Sequence, residues 1–209
     1  MTAAYYYSHC PIHYPPGALV LTEPTQVDLP ADLAPIRWGA FVLKRLALFS
    51  VNARVLHRRN YRYDKGAALV PVDLALGWGP MSDEAVLSQL RISQSVRCYW
   101  YQYQIPPPIA PAEIVAHSSN MHIIPATRDI ASMCGSLRAG SLIHLSGDLV
   151  EATGPGIGTW GSSLSRNDTG NGACELFYVT ELKPISAQTS RAGVASNAVA
   201  PLVRPKRAR

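Results

Sequence analysis

The chain has 209 residues, of which 47% are hydrophobic and 16% charged, a balance that excludes a wholly disordered chain. Its formal net charge of +5 is uneven: residues 1–36 carry −3, residues 37–184 carry +3 and residues 185–209 carry +5. The basic character therefore comes mostly from the C-terminal segment and says little about the rest of the chain.

Composition divides the chain into three parts. Residues 1–36 contain six prolines, and we expect a proline-rich N-terminal arm, part of which lies against the domain. Residues 37–184 are expected to form a single α+β domain. Residues 185–209 show no hydrophobic period and are rich in Ala, Ser and basic residues, so they are predicted to be a disordered basic tail.

The first half of the domain predicts strands and short helices. Residues 41–63 alternate apolar and polar side chains, which predicts a hairpin or a long bent strand. A proline at the start and glycines at the end of residues 71–79 predict one or two helical turns. Residues 82–90 predict a helix with Ser82 as N-cap. Aromatic and β-branched side chains over residues 91–104 favour a strand.

The second half carries the clearest strand patterns. Gly147 and Asp148 predict a bend or bulge inside one of these strands, and Thr127 is the expected N-cap of the second helix. The predicted elements are helices over 111–117 and 127–137 and strands over 121–125, 141–151, 159–164 and 174–182.

Short connections and alternating strands favour antiparallel pairing. The predicted fold is α+β, a curved antiparallel sheet or small OB-like β-barrel of roughly five to seven strands with two or three short helices. The stretch 137–151 resembles the strand pattern of OB-type barrels, in which a polar turn leads into a strand broken by glycine.

The cysteines form no CxxC pair, which argues against a structural zinc site. No signal peptide is visible at the start, so we expect a cytoplasmic location with free thiols, and buried, inert thiols at Cys98 and Cys134. The most apolar stretch, residues 39–51, is interrupted by two basic residues and is too short for a membrane span. A peripheral membrane contact stays open. The composition indicates no metal and no cofactor.

Two polar segments are candidates for chemistry. Residues 162–175 concentrate hydroxyls, charges, glycines and a thiol, and residues 117–122 hold two histidines. If the fold joins them, they form the pocket of a hydrolase or transferase, with a thiol or carboxylate within reach of a histidine. The alternative is an ordinary strand connection and histidines that satisfy local hydrogen bonds. The candidate catalytic residues are His117, His122, Asp168 and Cys174.

A basic stretch with interleaved tyrosines, over residues 54–65, indicates ligand binding. Arginine beside aromatic rings suits phosphate contact and base stacking, although a solvated strand face would look the same. An aromatic run over residues 99–103 adds a second surface, half of which is expected in the core. The leading hypothesis is a non-enzymatic binding module for nucleic acid or a protein partner. Its candidate ligand-binding residues are Arg54, Arg58, Arg59, Arg62, Tyr61 and Arg166.

Three stretches carry a resemblance to other proteins. Residues 53–83, 118–126 and 162–175 resemble a group of bacterial hypothetical proteins, over roughly residues 48–183. The resemblance implies a bacterial origin and a domain that ends near residue 183, and it assigns no catalytic residue. A third hypothesis, a structural subunit of a larger bacterial assembly, fits an apolar patch built from the arm and residues 39–51.

Overall fold

The computed structural model describes residues 10–170 and 172–187. Sheet dominates these ranges, with three short helices, as an α+β fold requires. The strands are β1 (Thr25–Asp28), β2 (Ile36–Trp38), β3 (Phe41–Asn60), β4 (Val72–Gly77), β5 (Arg91–Ser95), β6 (Cys98–Gln102), β7 (Ser118–Pro125), β8 (Leu142–Gly154), β9 (Gly158–Gly161) and β10 (Glu175–Pro184). The helices are α1 (Glu84–Leu87), α2 (Pro111–Ala116) and α3 (Arg128–Ser136), and a 3-10 turn covers Gly79–Ser82.

Five strands pair in a ring in the order β3, β4, β7, β10, β8 and back to β3. Four of these pairings are antiparallel, and β7–β10 is parallel. The prediction of an antiparallel sheet is therefore wrong for this pair. These two strands can be parallel because a long connection, which contains α3 and β8, separates them in sequence. The connection carries the chain back to the end of the sheet where β7 begins before β10 starts.

The 20-residue strand β3 makes the ring possible, because it pairs with β8 over its first part and with β4 over its end. Two register shifts, between Arg45 and Ala47 and between Val55 and His57, interrupt these ladders. Such irregularities bend and twist a strand. Of the two alternatives predicted for residues 41–63, the structure has the long bent strand.

The predicted helical turns at residues 71–79 are wrong, because this segment contains β4. All six residues of β4 are buried. Leu74 and Leu76 belong to the largest core cluster, whereas Ala75 belongs to a separate cluster on the opposite face. A strand covered on both faces loses the alternation that identifies a strand in sequence.

Core packing uses both faces of the ring strands. Adjacent residues such as Ile123 and Ile124 enter different clusters, because successive strand side chains point to opposite faces. The largest cluster draws on all five ring strands and includes the edge-to-face pair Phe49 and Phe177, whose ring centroids lie 5.2 Å apart. The second cluster lies on the opposite face of these strands. It is covered by the connection over residues 62–71 and by β9 with its neighbouring residues.

The helices begin close to their predicted positions. Thr127 caps α3 by accepting a hydrogen bond from the Ile130 amide. The cap of α1 is Asp83, which accepts from the Ala85 amide, and not the predicted Ser82. Ser82 instead accepts hydrogen bonds from the amides of Leu19 and Val20.

The described part of the N-terminal arm lies against the ring. Leu19 and Val20 are buried, and the Ile12 amide donates to the Ala139 carbonyl over 2.8 Å. Gly140 adopts φ of 91°, and a Cβ there would lie 2.0 Å from the Ile12 carbonyl oxygen, so only glycine fits. The predicted basic tail falls almost wholly outside the described residues.

The irregularity predicted at Gly147 and Asp148 lies on the partner strand. Strand β8 continues through both residues, and the register shift occurs in β10 between Val179 and Glu181. The absence of a side chain at Gly147 permits this register shift, since a Cβ there would lie 2.0 Å from the Tyr178 carbonyl oxygen.

Within the described ranges, no helix is long and apolar enough to cross a membrane.

Candidate functional site

A cavity of about 360 Å³ opens where β7 and β10 begin. Because these two strands are parallel and paired, with Glu175 opposite Met121, their first residues meet at one edge of the sheet. Strand β6 and the connection over residues 162–174 supply the other walls. The polar and aromatic lining includes Cys98, Tyr99, Trp100, Tyr101, Ser119, Asn120, Arg166, Asp168, Cys174 and Glu175.

The two polar segments that are candidates for chemistry meet here through residues 118–120 and residues 165–170 and 173–175, and the aromatic run joins them. The β5–β6 hairpin brings that run over the sheet by a turn at Val96 and Arg97, which adopt φ of 52° and 63°. Positive φ is unusual for residues other than glycine, asparagine and aspartate, so nothing in the sequence marked this turn.

A buried ion pair lies in the wall of the cavity. Glu175 is 1% exposed, and its Oε1 lies 3.0 Å from Nη1 of Arg166, while the Ser119 hydroxyl donates to the other carboxylate oxygen. Burial raises the pKa of Glu175 to about 7, and the Arg166 charge and the Ser119 bond oppose that shift without cancelling it. Glu175 is therefore poised to exchange a proton near neutral pH.

Arg166 is incompletely satisfied. Its Nη1 is close to Glu175 but makes no aligned hydrogen bond, and its buried Nε also has no partner. The guanidinium carbon lies 5.1 Å from the centroid of the Phe49 ring, so the side chain covers the end of the apolar core. The buried guanidinium therefore has an ion-pair partner in Glu175 but no aligned hydrogen-bond acceptor at Nε or Nη1.

Asp168 has a local structural role. Its Oδ2 accepts a hydrogen bond of 2.6 Å from the Ser163 hydroxyl, and the Ser163 amide donates to the Cys174 carbonyl. These bonds hold the two ends of the residue 162–174 connection together, so the connection is shaped by its own side chains.

The aromatic run divides by strand alternation, as expected. Tyr99, Tyr101 and Tyr103 pack against the cluster that contains Met81, and burial raises the pKa of Tyr99 to about 12. Trp100 is on the other face and is 56% exposed. A large exposed aromatic ring at a cavity is a suitable platform for stacking.

The cysteines of the cavity differ in environment. Cys174 accepts a long hydrogen bond of 3.5 Å from the Asn120 amide, and burial raises the pKa of its thiol to about 11. A thiol with a raised pKa is a poor nucleophile at neutral pH. Cys98 is exposed, which contradicts the expectation of a buried thiol, whereas Cys134 is buried as expected.

The histidines lie outside the cavity lining. His117 ends α2, where its Nδ1 lies 2.9 Å from the Glu113 carbonyl oxygen. His122 is buried on β7, with Nδ1 2.9 Å from the Asp73 carboxylate and its ring against Trp160. The expected contact of Asp168 or Cys174 with a histidine is thus not formed, since their hydrogen-bond partners are Ser163 and Asn120.

An arginine that the sequence did not single out anchors the hairpin. Arg97 binds Asp64 through two hydrogen bonds of 2.9 and 2.8 Å and donates to Asp73 over 2.9 Å. Its guanidinium stacks on Tyr61 with 3.6 Å between the guanidinium carbon and the ring centroid. Asp73 is fully buried, so the Arg97 guanidinium compensates its charge, and the His122 ring nitrogen lies within hydrogen-bonding distance of its carboxylate.

Only part of the basic stretch over residues 54–65 forms an exposed basic surface. Arg54 is 4% exposed, pairs with Glu84 and donates to the Ser82 carbonyl, so it serves the fold and does not face a ligand. Arg58 is half-buried, and desolvation lowers its pKa. Tyr61 lies under the Arg97 guanidinium. The exposed cations of this stretch are Arg59, Arg62 and Lys65.

Among residues 10–170 and 172–187, no three His, Cys, Asp or Glu side chains converge in a way that could hold a metal ion. No protein-family model, curated protein or solved structure matches the chain.

Proposed function

We propose that the chain is a non-enzymatic binding module of the OB type whose ligand is single-stranded nucleic acid. The order of the ring supports the fold assignment. Its first strand, β3, pairs with the second and fourth, the third and fifth are parallel, and α3 connects the third to the fourth. Greek-key barrels of the OB type bind oligonucleotides on an open face, although fold alone does not establish function.

The observation that carries the proposal is the exposed Trp100 at the cavity. A nucleobase stacked on this ring contributes about 1–3 kcal/mol and requires no particular sequence. A volume of about 360 Å³ accepts one ring-containing group. The base edge then meets Arg166, whose buried Nε and Nη1 lack aligned acceptors, and Glu175, which accepts or donates according to its protonation.

Exposed cations beside the hairpin supply the phosphate contacts. Asp64, which follows Arg62 by two residues, binds Arg97, the residue before Cys98 of the cavity lining. Arg62 and Lys65 flank in sequence the residue that binds the hairpin carrying Trp100. Cations near a stacking platform match the arrangement by which single strands are held.

The test is a titration of the full chain with a fluorescent oligothymidine and with a duplex of equal length, over a salt series. We expect saturable binding that favours the single strand and weakens as salt rises. A matched variant with Arg191, Arg204, Lys206, Arg207 and Arg209 changed to Gln removes the five positive charges of residues 185–209. If that variant loses all binding, or if neither oligonucleotide binds at low salt, the proposal fails.

A second candidate function is acid–base catalysis by Glu175 in a hydrolase or transferase. The pKa of about 7 is the observation that favours it, because a general acid or base works best near the ambient pH. The test is turnover of chromogenic ester, phosphodiester and glycoside substrates. Turnover abolished by Glu175→Gln and kept in Asp168→Asn supports this candidate. Turnover that Glu175→Gln leaves unchanged contradicts it.

A further inference from the structure

Two cysteines flank one side chain in the wall of the cavity. The Asn120 Nδ2 group lies 3.5 Å from the Cys174 sulfur and 3.0 Å from the carbonyl oxygen of Arg97, the residue joined to Cys98. Both Cys98 and Cys174 line the cavity. Residues separated widely in sequence are thus gathered around a single amide.

Strand ends set this proximity. Cys98 is the first residue of β6 and Cys174 immediately precedes β10. Both residues therefore lie at strand beginnings in the wall of one cavity, on either side of the Asn120 amide. The exposed Cys98 is the accessible partner, and Cys174 is the sheltered one.

We propose that Cys98 and Cys174 form a reversible disulfide bond when the protein meets a peroxide. The Cys98 thiolate attacks hydrogen peroxide, the O–O bond breaks, and a sulfenic acid and hydroxide form. The Cys174 thiol then attacks the sulfenic sulfur, the S–O bond breaks, and the thiol proton leaves with the sulfenic hydroxyl as water. In sum, two thiols lose two electrons and two protons, and one hydrogen peroxide takes them up to become two waters.

The bond would tie the hairpin to the start of β10 across the cavity. Asn120 would give up its contact with the Cys174 sulfur and keep those with Gln94 and the Arg97 carbonyl. The proposal does not rest on the identity of the ligand, since it concerns only the thiols.

The test is peptide mapping by mass spectrometry after the folded full chain is treated with hydrogen peroxide and then alkylated. We expect a linked pair of peptides containing Cys98 and Cys174 that dithiothreitol separates. The matched control Cys10→Ser should retain this link, whereas Cys98→Ser and Cys174→Ser should each abolish it. Over-oxidised Cys98 beside a free, alkylated Cys174, or a link that persists in Cys98→Ser, would overturn the proposal.

Discussion

The carboxylate of Glu175 and the guanidinium of Arg166 lie 3.0 Å apart at the point where the apolar interior of the ring meets the cavity. The pair joins the connection over residues 162–174 to the first residue of β10. Because the pair is buried, we expect substitution of either residue to change the free energy of unfolding. The change should depend on pH, because the pKa of Glu175 is raised to about 7.

Glu175→Gln should flatten the pH dependence of stability. The folded pKa of about 7 exceeds the ordinary 4.5, so the folded state binds more protons between these values. The stabilising contribution of this group is therefore complete below pH 4.5 and is lost as pH rises through 7, by roughly 3 kcal/mol in all. Urea unfolding from pH 4 to 9 measures this. An unchanged slope in the Gln variant would contradict the raised pKa.

Arg166→Met should destabilise the protein more above pH 7 than below pH 5. Removing one partner of a buried pair leaves an uncompensated charge and costs about 3 kcal/mol or more. At low pH Glu175 is neutral, so the loss is smaller. Thermal unfolding at both pH values compares them. Lys183→Gln, which breaks an exposed pair with Glu181, is the control and should leave the melting temperature unchanged.

Arg97→Ala should loosen the β5–β6 hairpin. The change removes the contacts with Asp64 and Tyr61 and leaves the fully buried Asp73 with His122 alone. We expect a loss of about 3 kcal/mol in the free energy of unfolding and faster amide exchange over residues 91–102. Arg91→Ala, at an exposed position of the same hairpin, serves as control. Equal exchange in both variants would show that Arg97 is no anchor.

Gly140→Ala should detach the N-terminal arm. A Cβ would meet the Ile12 carbonyl oxygen at 2.0 Å, and the residue would hold φ of 91°. We expect a cost of about 1–3 kcal/mol and easier proteolysis near residue 12. Gly135→Ala is a close control, because nothing lies within 4 Å of its Cβ position in α3. Equal protease sensitivity of the two variants would argue against the contact.

The elements that the sequence predicts correctly are those determined by neighbouring residues in the chain. The capped helix α3, the proline-initiated α2 and the strand over residues 141–151 follow from caps, proline and alternation. Strand β4 has no recognisable strand pattern in the sequence, because both of its faces are buried. The predicted number of strands is also too low, since β1 forms within the proline-rich arm and β2 begins at its last residue, and both pair with β3.

The candidate site was predicted in part. The meeting of residues 118–120 with residues 165–175 was anticipated as a possibility, yet its cause, the parallel β7–β10 pair, depends on pairing distant in sequence. The charge of Arg54 favours a ligand-binding role, but its burial against Glu84 makes it structural. No local pattern identifies Arg97, because its partners Asp64 and Asp73 are separate in sequence.

Stacking of a base on Trp100 is tested by comparing the oligothymidine affinity of Trp100→Ala with that of Val27→Ala. Val27 is 61% exposed on β1 and lies outside the cavity lining, so its variant controls for loss of an exposed apolar side chain. We expect Trp100→Ala to lose affinity by about 5- to 150-fold, as one stacked base implies, and Val27→Ala to bind like the wild-type protein. Equal affinities of Trp100→Ala and the wild-type protein would contradict stacking on Trp100.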